Sequence, residues 1–145
     1  MKIVSTILLI FFSLNAVAQE WHDEFTDAKQ IAQQKKQPIL LVFAGSDWCA
    51  PCIKLERKVW DSSAFIEFAN ENLVLLKADF PRKKINQLSD ELQDQNRALA
   101  EKYNPQGYFP WVVLLDENGF QKSVIIPGRK DSPQDIINKI KGKLP

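Results

Sequence analysis

Apolar residues recur along this chain at two spacings, which predict alternating strands and helices. Continuous apolar runs of strand length occur at 38–45, "PILLVFAG", and 72–80, "NLVLLKADF", and each is typical of a strand buried on both faces. Elsewhere apolar residues return every three or four positions, which indicates helices. The predicted helices are 24–37, a helix starting at Cys49, 61–70, 88–103 and a last helix capped by Ser132 and opened by Pro133.

The stretch "FPWVVLLDENGFQKSVIIPG" predicts two further strands, 111–115 and 120–126. The pair Asn118-Gly119 between them is typical of a hairpin turn. The resulting order is α β α α β α β β α. A strand, a helical crossover, a second strand and then a hairpin predict an α/β fold, with a mixed central sheet and helices on both faces.

The first residues have the three parts of a secretory signal. Lys2 is a short positive region, residues 3–14 are almost wholly apolar, and Ala16-Val17-Ala18 is a small-x-small cleavage site. We expect a signal peptide at 1–18 and one mature domain at 19–145. The protein would be secreted across the cytoplasmic membrane, and periplasmic if the organism is Gram-negative. The apolar run is shorter than the roughly 20 residues that cross a bilayer, so no membrane span is expected after cleavage.

Charge excludes some partners. The chain has 19 Lys and Arg and 18 Asp and Glu, and loss of Lys2 with the signal leaves 18 of each. This balance favours neither nucleic acid nor an anionic membrane as a partner. We also expect the protein to be a monomer. The cluster Arg82-Lys83-Lys84 is interpreted either as a docking patch or as a solvated loop.

Two cysteines, Cys49 and Cys52, are the only ones in the chain and lie within "SDWCAPCIKLE". A disulfide across so short a gap stabilises a fold only weakly, and a structural zinc site needs four ligands, so neither role is expected. A helix N-terminus favours the thiolate, which makes Cys49 the predicted nucleophile. Cys52, one turn deeper and expected to be more buried, would then resolve the mixed disulfide.

The segments "FAGSDWCAPC" and "GYFPWVVLLDENG" together resemble the thioredoxin superfamily, over nearly all of the mature chain. The resemblance implies a cis peptide bond at Phe109-Pro110, in a loop that faces the cysteines and binds an extended substrate. It makes Trp48, Phe109 and Pro110 the expected substrate-binding residues. Phe109 departs from the small or β-branched residue that is common before this proline.

A second departure concerns proton transfer. Thioredoxins commonly have a buried acid six residues before the first cysteine, and this chain has Phe43 there. Glu56, one helical turn after Cys52, is the hypothetical proton acceptor, with an exposed, ion-paired glutamate as the alternative; Asp47 is a second candidate. "SDWC" and Glu56 are similar to the C-terminal domain of the periplasmic D-type disulfide reductases.

The predicted activity is reduction of disulfides in client proteins by the Cys49–Cys52 dithiol, which needs no other cofactor. Ala50-Pro51 between the cysteines has no cation to stabilise the thiolate, which predicts a potential nearer about −270 mV than about −120 mV. Outside the cytosol a membrane thiol transporter is the expected electron donor. A disulfide isomerase or oxidant, a cytochrome c maturation reductase, a non-catalytic peptide-binding module and a Cu(I)-binding protein remain alternatives.

Overall fold

The structure is a computed structural model that describes residues 18–144, so the expected signal peptide lies outside it except for its last residue. Within this range the strands are β1 (Trp21–His22), β2 (Ile39–Ala44), β3 (Val74–Asp79), β4 (Trp111–Leu115) and β5 (Gln121–Ile125). The α-helices are α1 (Phe25–Lys35), α2 (Ala50–Leu55), α3 (Ser63–Asn72), α4 (Asp90–Tyr103) and α5 (Pro133–Lys141). None of the helices described is long and apolar enough to cross a bilayer.

The strands form one mixed sheet in the order β1-β3-β2-β4-β5. β1 and β2 both run parallel to β3, whereas β4 runs antiparallel to β2 and β5 antiparallel to β4. The predicted α/β fold with a mixed sheet is confirmed. β1 was not predicted, because two residues are too few to show a strand period; Trp21 and His22 pair with Leu75 and Leu76.

Side-chain caps define three helix starts. The hydroxyl groups of Ser62 and Ser89 accept hydrogen bonds from the backbone N–H groups of Phe65 and Leu92. Helices α3 and α4 therefore each begin two residues later than their patterns predicted. At α5, Ser132 and Asp135 form a reciprocal capping box. The predicted start of the last helix is therefore confirmed.

The helix that follows the cysteines changes its winding. Residues Glu56–Trp60 extend α2 as a π-helical turn, although the sequence predicted ordinary helical spacing throughout. The wider turn brings Val59 and Trp60, which are adjacent in sequence, into the same core. The Trp60 ring packs on Phe65, with 4.6 Å between ring centroids.

Two apolar cores lie on opposite faces of the sheet. On one face, Leu40 and Val42 pack with residues of α2, α3 and α5. On the other face, Ile39, Leu41 and Phe43 pack with residues of α1 and α4. Because β2 is fully buried on both faces, its continuous apolar run is explained.

The sheet brings three loops to one edge. β2 ends at Ala44 and leads to the cysteines, and the backbone N–H of Phe80, just after β3, donates to the Ala44 carbonyl at 2.9 Å. Phe43 pairs with Trp111, the first residue of the antiparallel β4. The cysteine segment, the loop after β3 and the loop before β4 therefore meet at the carboxyl end of β2.

Candidate functional site

The two cysteines form a disulfide at the start of α2. Cys49 is the N-cap residue, and its sulfur accepts a hydrogen bond from the backbone N–H of Cys52 at 3.3 Å. The two Cα atoms are 5.2 Å apart. The exposed fractions are 4% for Cys49 and 5% for Cys52, so the expectation that Cys52 is the more buried of the two is wrong. Both cysteines belong to one cluster with Ala44, and Trp48 and Phe109 pack against that cluster.

The Phe109-Pro110 peptide bond is cis. The loop before it turns at Gly107, whose φ of 68° lies in the left-handed region that favours glycine. Asn104, which is buried, holds this loop: its side chain accepts from the backbone N–H of Tyr108 at 3.0 Å and donates to the Tyr108 carbonyl at 2.9 Å. Sequence reasoning missed Asn104.

Trp48 is fixed from several sides. Its indole N–H donates to the carbonyl of Phe80 at 2.7 Å, and the Arg82 guanidinium lies 3.8 Å from the ring centroid. Phe109 contacts the ring edge, with centroids 5.4 Å apart. A Cβ atom at Gly45 would lie 2.3 Å from the ring, so glycine is required for this close packing. Trp48 therefore covers one side of the disulfide in a defined orientation.

Asp47 ties the loop after β3 to the site. Its carboxylate accepts hydrogen bonds from the backbone N–H groups of Arg82 and Lys83, both at 2.9 Å, and from the Asn86 side chain at 3.0 Å. These bonds, that of Arg82 first, lower the pKa of Asp47 to about 2. A carboxylate so stabilised is a weak base, and the geometry gives Asp47 the role of a loop anchor.

Glu56 makes an ion pair with the sheet. Both of its carboxylate oxygens accept from the Lys77 ammonium group at 2.8 Å. The side chains are partly exposed, 34% for Glu56 and 23% for Lys77. Phe43, at the place where thioredoxins have a buried acid, is fully buried in the core beneath α1 and α4.

A groove lies beside the residues that separate the two cysteines. It has a volume of about 340 Å³ and is lined by α2, the π-helical turn, Pro110 and the loop between β5 and α5. Ala50 and Pro51, the two residues between the cysteines, are part of its lining. We call it the Pro110 groove.

The structure groups Cys49 and Cys52 with Trp48 and Phe109, and it has Pro110 in the groove beside Ala50 and Pro51. The roles of these residues in catalysis and substrate binding stay predictions. The structure adds Phe80 and Arg82, which contact Trp48 across more than thirty positions of sequence. Periodicity carries no signal for such contacts; the only cue was the basic cluster that begins at Arg82. Within residues 18–144, no three His, Cys, Asp or Glu side chains are grouped so that they would hold a metal ion.

Comparisons with known proteins agree with this geometry. A family model described as thioredoxin-like matches residues 20–117. The chain is similar to the disulfide bond reductase DsbH of Chlamydia pneumoniae, with 36% identity over 102 residues. This match covers 70% of the chain and 59% of DsbH, so the chain spans less than two thirds of that relative.

Solved structures extend the likeness. A structure titled DsbH oxidoreductase superposes with a TM-score of 0.80 at 28% identity, covering 97% of this chain and 94% of the other. The oxidised C-terminal domain of DsbD from Neisseria meningitidis superposes with a TM-score of 0.57 at 15% identity, covering 82% and 91%, which shows a shared fold. The sheet order, the disulfide at the start of α2 and the family match lead to one conclusion: the chain belongs to the thioredoxin-like family and has the thioredoxin fold.

Proposed function

We propose that this protein is a thiol–disulfide oxidoreductase that reduces protein disulfides outside the cytosol. The observation that carries the proposal is the Cys49–Cys52 pair at the first turn of α2, packed against Phe109 and beside Pro110. A relative named as a disulfide bond reductase supports the same direction. The uncharged residues Ala50 and Pro51 support a low potential, because neither stabilises a thiolate at Cys49.

The reaction uses the dithiol form of the pair. The Cys49 thiolate attacks one sulfur of a client disulfide, forms a mixed disulfide and releases the other client sulfur as a thiolate, which takes up a proton. The Cys52 thiolate then attacks the Cys49 sulfur and releases the second client sulfur. Two electrons pass to the client, and the protein is left with the Cys49–Cys52 disulfide.

Three residues are proposed to bind the client. Trp48 offers a flat apolar surface on one side of the cysteines, and its orientation is fixed by Phe80 and Arg82. Phe109 and Pro110 lie opposite the start of α2, where the backbone of an extended client segment can pair. Exposed Tyr108, next to Phe109, adds an aromatic surface at this position.

The first test is the reduction potential of the Cys49–Cys52 pair, measured by thiol trapping in dithiothreitol buffers. We expect about −250 mV or lower, near the potentials of reducing thioredoxins. A value above about −150 mV would contradict the reductant direction.

In parallel, Cys49→Ser should abolish reduction of an insulin disulfide, because it removes the attacking thiolate. Cys52→Ser keeps Cys49 but cannot resolve the mixed disulfide, which should accumulate and be detectable by mass spectrometry.

Glu56 is proposed to accept the Cys52 proton. The alternative is that Glu56 only stabilises the fold, through the ion pair in which both of its oxygens accept from Lys77. Glu56→Gln keeps the shape of the side chain and removes its charge. If Glu56 is a proton acceptor, the single-turnover rate should fall several-fold and its pH profile should change. An unchanged profile, together with equal effects of Glu56→Gln and Lys77→Met on stability, would leave only the structural role.

The compartment and the electron donor are further proposals. The signal-like residues 1–18 support export, and the resemblance of "SDWC" and Glu56 to the periplasmic D-type disulfide reductases supports a membrane thiol transporter as donor. Expression with the native N-terminus, followed by mass spectrometry of the exported protein, should find a chain that begins at Gln19. A chain that retains residues 1–18 in the cytosol would contradict export.

A further inference from the structure

The Pro110 groove has an apolar floor and a cationic rim. Apolar side chains on its floor include Leu55, Val59 and Pro127. Three basic residues, Lys54, Lys58 and Arg129, also line it, and all three are exposed. The groove therefore combines an apolar surface with positive charge at Ala50 and Pro51, the two residues between the cysteines.

Most of this positive charge is not held in ion pairs. Across residues 18–144, neither Lys54 nor Arg129 makes an ion pair. The ammonium group of Lys58 donates to the backbone carbonyl of Lys130 at 3.2 Å, which holds its charge at the groove. The Ser132 hydroxyl group binds the Asp135 carboxylate and lowers the pKa of Asp135, and the charge of Lys58 helps to lower it further. Arg57, exposed on the π-helical turn, lines a neighbouring surface depression and not the groove itself.

The one acidic residue in the lining is already paired. The Asp131 carboxylate accepts from the Lys139 ammonium group at 2.7 Å and from the Gly128 backbone N–H at 2.6 Å. The same two bonds lower the pKa of Asp131, so it stays ionised and bound to Lys139 at neutral pH. The Asp131 charge therefore offsets that of Lys139 and not those of Lys54 and Arg129. The groove remains positive although the chain as a whole is close to neutral, with 19 basic and 18 acidic side chains.

We propose that the Pro110 groove binds an acidic segment of a polypeptide, so that this protein preferentially reduces disulfides flanked by Asp or Glu. The inference rests on the proposed reductase function and specifies its client class. Charge complementarity selects the occupant: carboxylates pair with Lys54, Lys58 and Arg129 while apolar side chains of the same segment cover the floor. The position of Ala50 and Pro51 in the lining places that segment next to the attacked disulfide.

The test uses three peptides of equal length with one disulfide each, flanked by Glu, Gln or Lys. Reduced protein is mixed with excess peptide, and kcat/KM is followed with dithiothreitol as the regenerating reductant. We expect kcat/KM for the Glu peptide to exceed that for the Lys peptide by about tenfold at low ionic strength. The ratio should approach one at about 0.5 M salt, because exposed charges are then screened.

The variant Lys54→Gln/Arg129→Gln removes two of the free cations. It should lower the Glu-to-Lys peptide ratio by roughly three- to tenfold. The ratio cancels any change in the chemistry of the cysteines. The matched control is Lys35→Gln/Lys122→Gln, because these exposed lysines lie at the opposite end of the sheet, near the start of β2 and of β5. The control variant should keep the wild-type ratio.

Each outcome decides the proposal. Equal reduction of the Glu and Lys peptides by the wild type, or an unchanged ratio in the Lys54→Gln/Arg129→Gln variant, would overturn it. Binding of anionic lipid vesicles without any peptide preference would assign the groove to a membrane surface instead. Failure to reduce even the Gln peptide would reject the reductase function itself, and the client preference with it.

Discussion

At the scale of single residues, the orientation of Trp48 beside the disulfide depends on residues that do not themselves take part in the chemistry. Asp47 and Trp48 are neighbours in sequence, and both bind the loop that follows β3. The Asp47 carboxylate holds the Arg82 backbone, and the Arg82 guanidinium stacks on Trp48. Asp47 therefore acts on the surface beside the disulfide through Arg82.

This arrangement predicts a pH dependence. The hydrogen bonds of Asp47 favour its charged form and lower its pKa from 3.8 to about 2. A lowered pKa means that the stabilising contacts are fully present above about 3.8 and are lost as pH falls through about 2. An NMR titration of the Arg82 and Lys83 amides from pH 6 to pH 1.5 should show a midpoint near 2.

The control for this titration is Asp47→Asn, which should remove the transition and accelerate amide exchange at Arg82 and Lys83. The backbone N–H groups of Arg82 and Lys83 donate to different oxygens of Asp47, and in Asn one of these oxygens is replaced by an NH₂ group, which cannot accept. A wild-type midpoint near 3.8 would show that these hydrogen bonds are weak in solution.

At the scale of elements, the short strand β1 contributes more than its length indicates. Trp21 packs against the core and meets the Trp60 ring edge-on, with centroids 6.1 Å apart. The Lys77 ammonium group lies 4.6 Å from the centroid of the Trp21 ring. β1 is therefore the edge strand next to β3, and its Trp21 ring lies against the lysine of the Lys77–Glu56 pair.

We expect Trp21→Ala to lower the free energy of unfolding by about 2 kcal/mol, because a large, partly buried aromatic surface is lost. His22→Ala, in the same strand but outside that core, should change it by less than about 0.5 kcal/mol. Urea denaturation followed by circular dichroism measures both values. Equal effects of the two substitutions would mean that β1 acts only through its backbone pairing.

At the scale of the whole molecule, β2 is the centre of both cores, and this explains how Phe43 is accommodated. Phe43 lies on the face covered by α1 and α4, among Leu41, Leu76 and Val113. An acid at this position would enter an apolar layer. The apolar residue is therefore consistent with its surroundings, and any proton acceptor must come from another element.

Phe43→Asp should destabilise the protein by at least about 3 kcal/mol, because it removes a buried ring and buries a carboxyl group. Burial would raise the pKa of that carboxyl above its unfolded value, so the loss should be larger at pH 7 than at pH 4. Phe43→Leu, the apolar control, should cost about 1 to 1.5 kcal/mol at both pH values. Denaturation curves at the two pH values test this, and a pH-independent loss in Phe43→Asp would contradict a dry core.

The sequence by itself determined the order of the main helices and strands, the mixed sheet and the cysteine pair. Each of these features has a local signal. The buried strands are continuous apolar runs, the hairpin has Asn118-Gly119, and α5 begins at Ser132-Pro133. The resemblance of two motifs added the family and the residues Trp48, Phe109 and Pro110.

Only the tertiary structure decided which distant groups meet. Residues far apart in sequence meet in the pairing of β1 with β3, in the contacts of Phe80 and Arg82 with Trp48, and in the Glu56–Lys77 pair. The positive Pro110 groove is of the same kind, since its cations come from α2, the π-helical turn and the β5–α5 loop. Periodicity reports how one segment is buried, whereas such contacts arise from the crossing of chain segments at one edge of the sheet.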